Sequence, residues 1–277
     1  MDYGAGGGAT RPSFAAGSPD ARLSYVLIRI DRKGRLVTAD SYLKEQVAVA
    51  SRVIAREGYA DLTLGHVSVF DPDTETVYIK RKGPGLHEIE PADVLAHPLY
   101  DDAALKTTPH MHFEAVLHTE MYKLRPGVGA VVHSHPPYST AMSATNASLR
   151  MLNHDSLLFA DGVARFDEFR LITEPLEGRE VAEAIGDCRA VLLGNHGVVV
   201  VGPSIGWATL AAVTLERAIR IQTIATSLGD LRELPLEAAR EYAATKYKDA
   251  YVEEYWAGWV RNLRVNGPSV PRQVAFD

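Results

Sequence analysis

Apolar side chains in this chain recur with two different periods, and the places where one gives way to the other outline the elements. Leu43, Val47, Ala50 and Ile54 follow each other at helical spacing. Asp40 supplies a cap ahead of that stripe and Gly58 a stop behind it. Residues His66 to Phe70 and Thr76 to Lys80 instead alternate with a period of two, and the Asp71-Pro72-Asp73 turn between them predicts a hairpin. A helix is predicted from Glu114 to Leu124, ending before Arg125-Pro126-Gly127. Three short apolar runs read as buried strands: Val128 to His133, Val191 to Leu193 and Val198 to Val201. The last two are joined by the polar corner Gly194-Asn195-His196-Gly197. A long helix follows from Ser204 to about Ser227, then a tyrosine-rich helical tail from about Leu236 to Leu263, and Ser24 to Ile30 is a further strand candidate. Helices interleaved with short strands, without an internal repeat, predict one α/β domain over 21–277 behind a flexible Gly/Ala/Ser/Pro tail over 1–20.

Composition narrows the field without pointing to a chemistry. The 277 residues are 46% hydrophobic and 23% charged, which excludes wholesale disorder and a fibrous chain. With 29 basic against 35 acidic residues the net charge is −6, which argues against a nucleic-acid partner. Lys80-Arg81-Lys82, the one dense basic run, reads as a solvated strand end, with reach toward an anionic substrate as the alternative. No apolar run approaches the roughly 20 residues of a membrane span, so the expectation is a soluble cytoplasmic protein with no membrane partner. The single cysteine, Cys188, fits a reducing compartment.

The histidines change the picture. His133 and His135 stand two residues apart at a strand end, where i and i+2 share a face, so both rings reach one point beyond the sheet edge. His196 sits on the corner between two buried strands, flanked by Asn195 and Gly197, which tolerate unusual backbone angles. Three neutral imidazoles around a divalent ion leave positions open for water or substrate, the arrangement of a catalytic site. Glu114 opens a helix, where the dipole favours a carboxylate, and is a candidate general base or additional ligand. His110 and His112 form a second pair in the loop that leads into Glu114, better suited to touching substrate than to a second metal. His118 lies one turn after Glu114 on the same helix face and is either packed or a support to the site. His87, His97 and His154 are expected at the surface. Gly202-Pro203-Ser204-Ile205-Gly206 matches a nucleophile elbow, but no histidine follows Ser204 to complete a triad in that chain order, so Ser204 reads as a helix cap.

These stretches, taken in order, resemble the class II aldolase/adducin family over roughly residues 40 to 230. The match is carried by Gly65-His66-Val67-Ser68, by Glu114 through His118 to Tyr122 and Arg125-Pro126, by His133-Ser134-His135-Pro136, by Asn195-His196-Gly197-Val198 and by Leu215-Glu216. The resemblance implies a three-layer α/β/α fold around a central mixed sheet. It also implies a metal held by His133, His135 and His196, with Glu114, 19 residues before the first of them, as acid/base or ligand. A homotetramer with active sites at its interfaces is implied too, making Tyr242, Tyr247, Tyr251 and Tyr255 candidates to reach a neighbour's site.

Where the sugar-phosphate members carry hydroxyl-rich phosphate loops, this chain has His112-Phe113-Glu114, Gly65-His66-Val67-Ser68 and Lys82-Gly83-Pro84-Gly85. His66, Ser68, His112 and Phe113 therefore become candidates to bind an aromatic carboxylic or 2-oxo acid rather than a phosphorylated sugar. Two branches take such substrates: the non-haem iron oxygenases of aminocoumarin antibiotic biosynthesis and the dihydroxyphthalate decarboxylases. The expectation leans to the first, with Fe(II) and O2 as co-substrate converting a prenylated 4-hydroxyphenylpyruvate, through the mandelate, to the hydroxybenzoate. The alternative is a Zn(II) or Mn(II) lyase, an aldolase or aromatic-acid decarboxylase. A non-catalytic adducin-like scaffold is the third.

Overall fold

The computed structural model describes residues 28–30 and 36–266, so the tail predicted over 1–20 lies outside them. The chain divides into two compact units, residues 1–39 and 40–277. In the first, β1 (Ile28–Ile30) pairs antiparallel with β2 (Leu36–Thr38), Ile28 opposite Thr38. The strand expected from Ser24 is thus present in its last three residues, the others lying outside the described residues.

The second unit is built on a seven-stranded sheet. Its elements in chain order are α1 (Ala39–Ile54), β3 (His66–Asp71), β4 (Thr76–Lys80), β5 (Val94–Pro98), α2 (Asp102–Thr107), α3 (Val116–Leu124), β6 (Ala130–Ser134), α4 (Pro137–Ser143), β7 (Ala164–Phe166), α5 (Pro175–Ala184), β8 (Ala190–Leu193), β9 (Gly197–Gly202), α6 (Ile205–Leu228), α7 (Leu236–Lys246) and α8 (Asp249–Asn266). The strands lie in the order β5-β4-β3-β6-β9-β8-β7. Every neighbouring pair is antiparallel except β7 with β8, so the sheet is mixed. Among the described residues no helix is long and apolar enough to cross a membrane.

Alternation along the central strands explains the three layers. Val198 and Val200 of β9 belong to one core with residues of α1, α6 and α8, while Val199 and Val201 belong to the other with residues of α2, α3 and α5. Both faces are covered, so β9 reads as a continuous valine run rather than an alternating one. Burial of each of these side chains contributes roughly 1.5–3 kcal/mol. The same alternation sends Val132 of β6 toward α6, and Val131 toward α3. His133, two residues beyond Val131, shares its face. Register then fixes the neighbours: His66 stands opposite His133 and Ser68 opposite Val131, all on the side covered by α3.

Several expectations hold closely. The hairpin forms at β3 and β4, and Ser204 caps α6 by accepting from the Trp207 amide. Others need correction. Lys80 is not solvated: it is fully buried, while Arg81 pairs with Asp93 and Lys82 is exposed. The basic run looked uniform, but only the last residue of the paired strand is enclosed by neighbouring loops. His97 is buried as well, at 2% exposure in β5, and His87 is half-buried, whereas His154 is exposed. The helix expected from Glu114 begins with a short 3-10 turn, Phe113–Ala115, and becomes regular at Val116. The tyrosine-rich tail breaks into α7 and α8.

Candidate metal centre

Four side chains from three separate parts of the chain converge at the end of the sheet. Glu114, His133, His135 and His196 each offer one donor atom, and those atoms lie within 4.8 Å of one another. His133 is the penultimate residue of β6, on the α3 side, and His135 follows just past the strand. His196 is delivered by the corner between β8 and β9, where Asn195 adopts φ 55°, an angle at which asparagine is among the more tolerant residues. Gly197 must be glycine there, because a Cβ would stand 2.6 Å from the Ser134 carbonyl and 2.7 Å from the His135 ring.

The far nitrogens decide what the near ones can do. His133 donates its Nδ1 proton to the Val198 carbonyl at 3.1 Å, and His135 donates its own to Asp61 Oδ2 at 2.9 Å. Each ring is left with a bare Nε2, and these two atoms are 3.1 Å apart. Two lone pairs at that distance repel unless a cation lies between them. Glu114 Oε2 stands 3.5 Å from His133 Nε2 and 3.6 Å from His196 Nε2, while its Oε1 accepts from the Ile172 amide at 3.2 Å. Three imidazole nitrogens and a carboxylate oxygen, two of the imidazoles anchored from behind, fit a divalent ion such as Zn(II), Fe(II) or Mn(II).

Electrostatics agree with that donor set. Burial, followed by the neighbouring His133, lowers the pKa of His135 and takes His196 down to about 4. These imidazoles are therefore neutral at pH 7 and available as lone-pair donors. For Glu114 burial acts upward, but the bond from the Ile172 amide and the closeness of His133 and His196 outweigh it, so the carboxyl is lowered and stays ionised.

Beside the four donors runs a second layer of buried polar groups. His66 lies with its ring centroid 4.9 Å from that of His133 and 4.3 Å from that of His112. His112 faces the Lys80 ammonium at 3.5 Å, and Lys80 also donates to the Thr63 carbonyl at 3.1 Å. Burial is the main cause that lowers Lys80 to about 8 and His112 to about 3. Ser68 is bonded to His118 and Tyr122, one layer behind His66. Phe113 is largely exposed beneath the Lys82 ammonium, which stands 3.9 Å from its ring centroid. A cavity of about 560 Å³ opens along this loop, lined in part by Leu105, Met111, His112, Phe113 and Val116. None of the four converging donors lines it.

The four candidates for the metal and its carboxylate thus come together, with His66 and His112 beside them. Of the C-terminal tyrosines, Tyr247 donates to the His154 carbonyl, while Tyr242, Tyr251 and Tyr255 are exposed. Sequence reasoning missed Asp61 and the burial of Lys80. Asp61 is 74 residues from the histidine it holds, and no local spacing signals such a pair. The loop after α1 serves both, through the Asp61 carboxylate and the Thr63 carbonyl.

Residues 45–223 match the class II aldolase and adducin N-terminal domain, and the chain belongs to the class II aldolase/adducin family. It is 31% identical to the decarboxylase NovR of Streptomyces niveus, over 72% of this chain and 76% of that protein. It is 30% identical to the 4-hydroxy-3-prenylphenylpyruvate oxygenase/4-hydroxy-3-prenylbenzoate synthase of Streptomyces roseochromogenus subsp. oscitans, over 72% and 74%. An aldolase II superfamily protein from Pseudomonas syringae shares the fold with a TM-score of 0.74 at 24% identity, over 86% of this chain and 98% of that one.

Proposed function

We propose that this chain is a metal-dependent oxidative decarboxylase of an aryl 2-oxo acid of the 4-hydroxyphenylpyruvate type, using Fe(II) and O2. The observation that carries the metal dependence is the convergence of Glu114, His133, His135 and His196, with two bare imidazole nitrogens 3.1 Å apart. The substrate class is supported by the name of the Streptomyces roseochromogenus relative, and decarboxylation by that of the Streptomyces niveus one. An Fe(II) ion there supplies a chelation point for the 2-oxo acid and a place to activate O2. The chain's own groups do the rest. Asp61 and the Val198 carbonyl aim the two ring nitrogens, and Glu114 adds the carboxylate that a three-histidine set would lack.

A second reading, a Zn(II) or Mn(II) lyase, is favoured by the position of Glu114, which stands close enough to the bare nitrogens to hold a proton over the site. One experiment separates the two. Protein loaded with Fe(II) under anaerobic conditions and then given 4-hydroxyphenylpyruvate should consume one O2 for each CO2 released. Carbon dioxide released without O2 uptake, or only with zinc or manganese, moves the protein to the lyases. In that case Glu114→Gln should keep the metal and slow the chemistry.

A further inference from the structure

Next to the four donors, Tyr122, Ser68, His118 and His66 form a single file of buried polar groups, and their protons can be traced one by one. The Tyr122 phenol lies 2.6 Å from Ser68 Oγ, Oγ lies 2.6 Å from His118 Nδ1, and His118 Nε2 lies 2.6 Å from His66 Nδ1. Both rings are buried and neither has a carboxylate among its bonded partners, and a buried imidazole without a counter-charge is neutral and carries a single proton.

Three links need three protons, and the four groups bring four. Suppose the file runs from His66 toward Tyr122. The phenol proton then has no acceptor among the described residues, although Tyr122 is only 5% exposed. A buried hydroxyl left without an acceptor costs about 1–3 kcal/mol. Suppose instead that His118 and Tyr122 both donate to Ser68; the serine proton is then stranded in the same way. Running from Tyr122 through Ser68 and His118 to His66 fills every link. The fourth proton is left on His66 Nε2, the free end of the file, in a ring that has both His133 and His112 beside it. His112 offers no rival donor at its Nε2, which faces the Lys80 ammonium.

We propose that His66 is a neutral hydrogen-bond donor to an anionic oxygen of the substrate, a carboxylate or the oxyanion developing at a carbonyl. Tyr122, Ser68 and His118 are its positioning residues, because they fix which nitrogen carries the proton. His66 is accordingly not a general base. The substrate in this inference rests on the proposed function, but the order of the protons does not.

Long-range nitrogen NMR of the histidine rings in the zinc-loaded full chain tests that order, with His66→Leu to assign the signals. The expected result is a protonated Nε2 and a bare Nδ1 on His66; the reverse tautomer overturns the proposal. Calorimetry with 4-hydroxyphenylpyruvate on the same protein tests the contact. His66→Leu should weaken binding about tenfold or more, and His66→Asn, which keeps an N–H donor, should stay within about threefold of wild type. Equal binding by His66→Leu and wild type overturns it. If the acid does not bind wild type at all, the aryl-acid reading of function fails, and the tautomer of His66 alone decides the proposal.

Discussion

Two groups of histidines share one face of the sheet and differ in where their far nitrogens point. In the cluster of His133, His135 and His196, two far nitrogens give their protons outward, to the Val198 carbonyl and the Asp61 carboxylate. Bare nitrogens are left facing each other beside Glu114. In the file that ends at His66, the imidazoles are bonded to one another and to the Ser68 hydroxyl, with no carboxylate among the bonded partners. The side-chain chemistry is the same in both groups. The partner behind each ring makes one group a cation cradle and the other a chain of donors, so a count of clustered histidines says little until those partners are known.

Removing a cradle nitrogen should have the largest effect. His133→Ala should abolish metal retention after dialysis, and turnover with it. A chelator then offers a second readout. If the ion is held at a thousandfold above its Kd, stripping it should lower wild-type stability by about 4 kcal/mol. The His133→Ala protein should show no such loss in denaturant unfolding, and a full chelator effect in that variant would dissolve the cradle as described.

A smaller effect comes from the buried lysine beside His112. Burial moves Lys80 from 10.5 to about 8, so the folded state gives up about 3 kcal/mol to keep that ammonium charged at pH 7. The sign follows from the protons bound. Between pH 8 and 10.5 the unfolded chain holds the lysine proton and the folded chain has released it, so wild-type stability should rise across that window. Lys80→Met should be the more stable protein below pH 8 by up to about 3 kcal/mol, and the advantage should vanish above pH 10.5. Thermal midpoints measured across that range check both arms, and a constant difference would mean that the charge is not the cause.

The smallest change sharpens the contrast. Asp61→Ala removes only the partner behind His135, and metal affinity should drop about 10- to 100-fold while metal still binds at saturation. Titration with a competing chelator measures this. An unchanged affinity would show that the outward hydrogen bond does not set the nitrogen's role.

Much of this was legible along the chain. The period-two runs at β3 and β4, the valine run of β9 and the cap at Ser204 are local signals, and each element formed where they stood. The pair His133 and His135, the corner at His196 and the carboxylate of Glu114 were also local, and together with the family match they located the cluster. The basic run misled, because Lys80, Arg81 and Lys82 differ only in what covers them, and cover is a tertiary property.

By itself, then, the sequence determined which residues could act as donors and which strands would be buried, because periodicity and residue type are properties of neighbours in the chain. Only the tertiary structure decided the proton on each ring. Asp61 reaches His135 across 74 residues, Val198 reaches His133 across 65, and Ser68 reaches His118 across 50. A tautomer is set by whichever acceptor the fold brings to the far nitrogen, and pairs so distant in sequence leave no pattern for spacing to reveal.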